Sequence, residues 1–352
     1  MTEPLRFESE VELARWLALT PAELWWFADV EGIGRTRVNG PLAHYRYRFH
    51  AKPDGSTRLI EIPKLRLKLI QRRIARRLLA PLQLHDSVHG FVRGRSAITG
   101  ARVHVGRALV LRVDLREFFA SVSAGQVRAV LRRLGHADAV ARALTGLCTN
   151  CTPRAAWTGS STPANAEAVR QLWHRRQRYA SPHLPTGAPT SPALANLVAG
   201  TLDLRLAALA RSFGAAYTRY ADDLTFSGDA PFRRDAERFF ELVCGAVAEH
   251  GFAVHGRKTR FQGAETRQQV TGVVVNVHTS LVRRELERLE AIVHNCVRFG
   301  PAGQNRSGHP DFRSHLAGRI AHVASVHGRH GARLRERFAA IDWSPLDERS
   351  EA

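Results

Sequence analysis

Acidic residues are the scarce charge in this chain of 352 residues: 32 Asp and Glu stand against 52 Lys and Arg, a formal net charge of +20. Such an excess destabilises a compact fold by self-repulsion unless a polyanion covers it, and nucleic acid is the polyanion that fits. A membrane surface is the rival, but no apolar run approaches the roughly 20 residues that span a bilayer. Cysteine is scarce too. Cys148, Cys151, Cys244 and Cys296 do not make a disulfide framework in a chain of this size. Cys148 and Cys151 have CxxC spacing without a second ligand pair at zinc-finger distance, which favours a structural role. No GxxxxGK[ST] occurs, so P-loop ATP hydrolysis is not supported, and no repeat or low-complexity tract is present. Glu3, Glu8, Glu10 and Glu12 precede any apolar stretch, unlike a signal peptide. The expectation is a soluble, reduced, cytoplasmic protein with no membrane partner.

What is present folds. Hydrophobic content of 44% supports packed cores. Ser9 with Glu12, and Thr20 with Pro21 and Glu23, predict two short helices near 10–18 and 21–29, stopped by Gly32 and Gly34. Residues 44–63 alternate around Pro53-Asp54-Gly55, a turn between two strands. Residues 64–80 place Leu65, Leu69, Ile70, Ile74 and Leu78 at helical spacing among seven Lys and Arg, a basic amphipathic helix. "ALVLRVDL" (108–115) reads as a buried strand ending at Asp114, and 120–135 as a helix ending on Gly135. Residues 149–190 read as a long connection, followed by one buried helix from Ser191, a strand pair at 217–227 and a helix at 234–250. A further strand pair over 251–276 precedes a helix from Ser280 to about Phe299 and a helical, basic tail. Trp16, Trp25, Trp26 and Phe27 sit at helical spacings and read as core. Without βαβα regularity, the fold class is α+β.

"YTRYADDLTFSG" (217–228) sets Asp222 and Asp223 side by side in a turn that is neither Asn-Gly nor Asp-Gly. Two such carboxylates repel by roughly 1 to 4 kcal/mol at surface-like dielectrics, a penalty that a divalent cation removes. Asp114 ends an apolar strand, where a carboxylate is costly unless paired or metal-bound. Three carboxylates on two strand ends suit a two-metal site for phosphoryl transfer. Cations would then hold a nucleic-acid backbone while the acids hold the metals.

"VLRVDLREFFASV", "LPTGAPTSPALANL", "YTRYADDLTFSG", "GRKTRF" and "VTGVVVN", in that order, resemble the motifs of reverse transcriptases, and "SVHGFVRGRSAITGARVHVG" (87–106) is most similar to the bacterial retron type. The resemblance runs from about residue 40 to 300. It implies a right-hand polymerase fold: an N-terminal helical cap at 1–40, fingers at 41–107, palm at 108–135 and 184–278, a connection or fingers insertion at 136–183, and a helical RNA-binding thumb at 279–352. It also implies RNA-templated DNA synthesis with two Mg²⁺ ions on Asp114, Asp222 and Asp223, and with dNTPs as substrates. Phe119 would exclude a ribose 2′-OH, Lys52 and Arg58 would meet the incoming triphosphate, and Lys258 the leaving pyrophosphate. Gly187 and Ala188 would line the nucleotide. Pro189, Ser191, Asn196, Tyr220 and Ala221 would lie at the template and primer, and His104 would contact RNA. The partners implied are a structured non-coding RNA, both template and primer, and its cDNA, with an effector or toxin protein and a role in anti-phage defence.

Arg283, Arg284 and Arg288 are candidates for gripping an RNA stem. Two departures stand out: Thr186 where many relatives have Gln, and Gly100 where the retron pattern has Asn. Only 76 residues follow Asn276, which favours a stand-alone retron-like enzyme over a mobile-intron protein. A CRISPR-associated or abortive-infection reverse transcriptase, or a non-catalytic RNA-binding scaffold, stays open as an alternative.

Overall fold

The computed structural model describes residues 5–34, 37–51, 57–159 and 165–344. The two N-terminal helices are α1 (Glu10–Leu17) and α2 (Pro21–Ala28). Ser9 accepts from the Glu12 amide, and Thr20 with Glu23 closes a full capping box. They end on Ala18 and Asp29 in the left-handed conformation, φ 58° and 41°, rather than on the glycines that the sequence suggested. The Asp29 carboxylate accepts from the Gly34 amide, which holds the chain after the helix. Phe27 is buried and Trp16 packs against the core, but Trp25 and Trp26 are exposed, Trp25 beneath the Arg142 guanidinium.

β1 (Tyr45–Ala51) pairs antiparallel with β2 (Thr57–Pro63), as the alternation predicts. The Pro53-Asp54-Gly55 turn lies outside the described residues. α3 (Leu65–Arg73) runs into a π-helical turn at Ile74–Leu79. Its buried stripe is Leu67, Ile70, Gln71, Ile74 and Leu78, while Leu65 and Leu69 face solvent. The polar Gln71 hides this stripe from a hydrophobicity reading. Its amide donates to the Tyr45 hydroxyl and the Leu147 carbonyl, so burial leaves those hydrogen bonds made.

α4 (Ala97–Arg102), β3 (Leu109–Asp114), α5 (Phe118–Ser121), α6 (Ala124–Arg133) and α7 (Asp138–Cys148) follow. The expected connection contains a 3₁₀ turn at Arg154–Gly159 and α8 (Ala166–Ala180), N-capped by Asn165. Tyr179 is the buried residue of α8, so no apolar stripe announced it. The single helix expected from Ser191 is two, α9 (Ser191–Val198) and α10 (Gly200–Ser212), bent by 52°. Among the described residues no single helix is long and apolar enough to cross a membrane.

β4 (Ala216–Tyr220), β5 (Asp223–Gly228), α11 (Ala230–Glu249) and β6 (Arg260–Gly263) complete the centre of the fold. The four strands form an antiparallel sheet of order β4–β5–β3–β6. The strand pair expected over 251–276 is therefore corrected: β6 joins β3, with Leu109 opposite Gly263. β7 (Gln269–Val270) and β8 (Val273–Val274) close on each other through Thr271 and Gly272, both at positive φ, the geometry of a tight hairpin turn. α12 (Arg283–Phe299), α13 (Phe312–Val326) and α14 (Gly328–Ala339) pack around their own core of Leu289, Val293, Leu316, Ile320 and Leu334. The main core joins the sheet to α1, α2, α7, α10 and α11.

Candidate active site

Register brings the three aspartates together. Asp114, the last residue of β3, stands opposite Asp223, the first of β5. The Leu115 amide donates to the Asp222 carbonyl at 2.8 Å, which ties the strand end to the turn. Tyr220 faces Asp223 across β4 and β5, so Ala221 and Asp222 form the turn, with Ala221 left-handed at φ 55°. That conformation costs a non-glycine residue roughly 1 kcal/mol, and the neighbours hold it. A Cβ on Gly90 would lie 2.7 Å from the Ala221 nitrogen, so Gly90 backbone presses on the turn. From below, Arg219 donates to the Ala221 carbonyl at 3.1 Å.

Arg219 is the largest wholly buried side chain of the sheet, with no exposed surface. Its guanidinium makes a two-pronged pair with the equally buried Asp203 of α10, at 2.7 and 2.6 Å, and donates to Asn196 Oδ1 of α9 at 2.8 Å. Tyr217 donates to Asp203, and Asn196 donates to the Gly90 carbonyl. One buried cation thus links β4, α9, α10, the Gly90 loop and the aspartate turn. Sequence reading missed it, although an Arg between Thr218 and Tyr220 on a strand beside the acids was the available signal.

Burial pushes the Asp222 carboxyl above the usual carboxylate range, with Asp114 the next cause and Lys258 a partial offset. Burial raises Asp223 as well, and Arg112 works against it. Arg112 Nη2 lies 2.5 Å from Asp223 Oδ2, and Lys258 Nζ lies 3.1 and 3.2 Å from the Asp114 oxygens. Arg112 was also missed. Two residues before Asp114 on a strand, it must share that residue's face. Even with both cations, burial first and like charge second hold two of the three carboxyls above the usual range. Among the described residues no three side chains already stand in the arrangement that a bound ion imposes. The donor chemistry nevertheless fits a hard divalent ion: three carboxylates on adjacent strand ends, two of them destabilised by burial and like charge.

Phe119 is half-buried on α5, its ring 5.6 Å from that of Phe118. α8 buttresses this short helix: Arg175 pairs with Glu117 at 2.6 Å and Arg178 donates to Ser121 at 2.8 Å. The long connection therefore braces the segment after Asp114. Arg58 is exposed on β2 opposite His50; Lys52 lies outside the described residues. The loop before α9 docks on β2. Thr186 donates to the Leu59 carbonyl at 3.0 Å, and a Cβ on Gly187 would collide with the Glu61 carbonyl. Thr186 thus spends its hydroxyl on the strand. Pro189 and Tyr220 are half-buried, the Tyr220 ring 6.0 Å from the exposed Phe91.

Burial withdraws the side chains of five residues that the sequence offered as nucleic-acid or nucleotide contacts. His104 has no exposed surface. Its Nδ1 meets Ser227 and its Nε2 meets Thr218, each at 2.7 Å, so it joins α4's loop to β4 and β5 and cannot touch RNA. Burial lowers its pKa to about 3, which keeps the ring neutral. Ser191 donates to the Pro185 carbonyl at 2.6 Å, and Asn196 serves Gly90 and Arg219; both side chains are about 1% exposed. The Ala188 and Ala221 methyls are also buried, which leaves those positions only their backbone to offer. Arg283, Arg284 and Arg288 are exposed on α12, with Arg283 paired to Glu287. Cys148 is fully buried and its thiol is pushed up to about 12.

A four-stranded antiparallel sheet with aspartates on two adjacent strand ends, flanked by helices and followed by a helical unit, defines the class: an α+β polymerase-type domain. The chain belongs to the reverse transcriptase family, whose model, Reverse transcriptase (RNA-dependent DNA polymerase), matches residues 50–275. Its relatives are of the retron type. It is 41% identical over 295 residues to the Retron Mx65 reverse transcriptase of Myxococcus xanthus, covering 84% of this chain and 64% of that one. It is 37% identical over 317 residues to the Retron Mx162 reverse transcriptase of the same organism, covering 85% and 61%. It is 28% identical over 297 residues to the Retron Ec86 reverse transcriptase of Escherichia coli, covering 83% and 80%. The chain thus spans a little under two thirds of the length of the two Myxococcus xanthus relatives.

Proposed function

We propose that this chain is an RNA-directed DNA polymerase of the retron type, which copies a dedicated structured non-coding RNA that is both template and primer. The observation that carries this reading is the convergence of Asp114, Asp222 and Asp223 on adjacent strand ends, in a chain that belongs to the reverse transcriptase family. The retron names of its relatives and the net charge of +20 support the RNA partner. In this reading residues 108–135 and 184–278 are the palm, 41–107 the fingers with 136–183 inserted, and 279–352 the thumb. The anti-phage role, an effector partner and a cytoplasmic location rest on the motif resemblance and composition alone.

Asp114, Asp222 and Asp223 would hold two Mg²⁺ ions. Bound there, the ions supply charge that lowers the pKa of a primer hydroxyl and stabilises the leaving pyrophosphate. The protein's own part is orientation. Arg219 and Gly90 fix the turn that carries Asp222, so little reorganisation remains at the reacting centre. Lys258, on a half-exposed side chain at Asp114, is free to exchange that carboxylate for a phosphate oxygen. Phe119, braced through α8, excludes the ribose 2′-OH. Primer extension on primed poly(rA) with dTTP and Mg²⁺ tests the reading, comparing the wild type with Asp222→Ala plus Asp223→Ala. Activity confined to the wild type is expected; equal signal from both ends the polymerase claim. Sequencing of copurified RNA tests the partner, with one structured transcript expected and a random cellular mixture counting against it.

A further inference from the structure

A cavity of about 340 Å³ opens between α12, the 3₁₀ turn at Ala302–Gln304 and the start of α13, and none of the three aspartates lines it. Its wall carries Arg288, Arg306 and Arg319, with His309 and His315 stacked at 4.5 Å and Phe312 as an aromatic face. Among the described residues, no carboxylate lines it and none lies within ion-pair distance of the three arginines. The acids of α12 are otherwise engaged or more distant: Glu287 takes Arg283, and Glu290 takes His330 and Arg333. Arg319 sits half-buried beside Arg288, and burial and then that like charge disfavour its protonated form, with Glu285 only a partial offset. Cations crowded around an open cavity, with Glu285 only a partial offset, call for an anion. The volume is at the small end of ligand pockets, the size of one nucleotide rather than a duplex.

We propose that this cavity binds one nucleotide of single-stranded RNA, its phosphate between Arg288 and Arg319 and its base against Phe312. The proposal rests on the reading that the chain handles RNA, but it concerns a second site whose test does not depend on catalysis. Arginine forks suit phosphate oxygens, and an aromatic face accepts any base. A free nucleotide shares this chemistry, so the experiment separates the two sources.

The full chain is titrated, in EDTA, with AMP and with a 5′-labelled single-stranded 12-nucleotide RNA carrying 4-thiouridine. Arg288→Gln/Arg319→Gln is compared with Arg329→Gln/Arg337→Gln, which removes equal charge from exposed positions on α14. RNA affinity should fall by about tenfold or more in the first and by less than about threefold in the second. Arg288→Lys/Arg319→Lys, which keeps the charge, should recover part of the loss. Photo-cross-links should map to residues 304–319. Circular dichroism checks that each variant folds, and primed poly(rA) extension by the wild type is measured separately, so that failure here is distinct from failure of the polymerase reading. Equal losses in the two Gln pairs, or cross-links elsewhere, would overturn the proposal. AMP binding as tight as the RNA would overturn the assignment to RNA.

Discussion

Arg219 offers the sharpest test of how the sheet carries the aspartates. Arg219→Met keeps most of the volume but leaves Asp203 buried with Tyr217 as its remaining neutral donor. Removing one partner of a buried ion pair costs roughly 3–5 kcal/mol, because the other charge is left uncompensated. The Asn196 and Ala221 oxygens also lose a donor, at about 1–3 kcal/mol for each buried group left unsatisfied. Adding Asp203→Leu removes the stranded charge, so the double variant should be more stable than Arg219→Met by about 2 kcal/mol or more. Urea unfolding of wild type, both singles and the double measures this coupling. Primer extension should remain depressed in the double variant, because the Ala221 carbonyl still lacks its donor. A coupling near zero, or full activity in Arg219→Met, would refute the proposed clamp.

Three further outcomes follow from the geometry. His104 titrates near 6.5 when unfolded but at about 3 when folded, so the unfolded chain binds more protons below pH 6.5 and stability falls as pH drops from there toward 3; His104→Asn should flatten that slope in pH-dependent melting curves. Glu61, lowered by His183 against the effect of burial, stabilises above about pH 4.5 and loses this as pH falls through its folded pKa. His183, raised mainly by Glu61, stabilises below about pH 6.5 and loses this as pH rises through its folded pKa. The stability difference between wild type and His183→Gln should therefore peak between those limits and shrink above them. Gly90→Ala should reduce primer extension about tenfold or more with RNA affinity unchanged, since its Cβ would displace the Ala221 nitrogen; a fully active Gly90→Ala enzyme would show that the turn tolerates the shift.

The aspartate constellation was legible because strand patterning fixes which residues end together: "VLRVDL" and "YADDLTF" each place an acid at a strand boundary. The helix caps at Ser9 and Thr20 were legible for the same local reason. What was not legible depends on contacts distant in sequence. Gln71 is apolar-facing only because Tyr45 and Leu147 meet its amide. β6 could be assigned to β3 only once the sheet was formed. The motif resemblance offers His104, Asn196 and Ser191 as contacts for RNA, yet each is satisfied inside the protein by partners that no spacing rule names. α8 carries its function on charged residues, Arg175 and Arg178, which leave no hydrophobic period.

Divalent-ion stoichiometry at the aspartates is the most direct measurement. Mn²⁺ binding, followed by electron paramagnetic resonance with primed poly(rA) and dTTP present, should give two ions per wild-type chain. Asp222→Asn plus Asp223→Asn should bind at most one ion and extend no primer. Two ions bound equally by wild type and variant would contradict the assignment of this site.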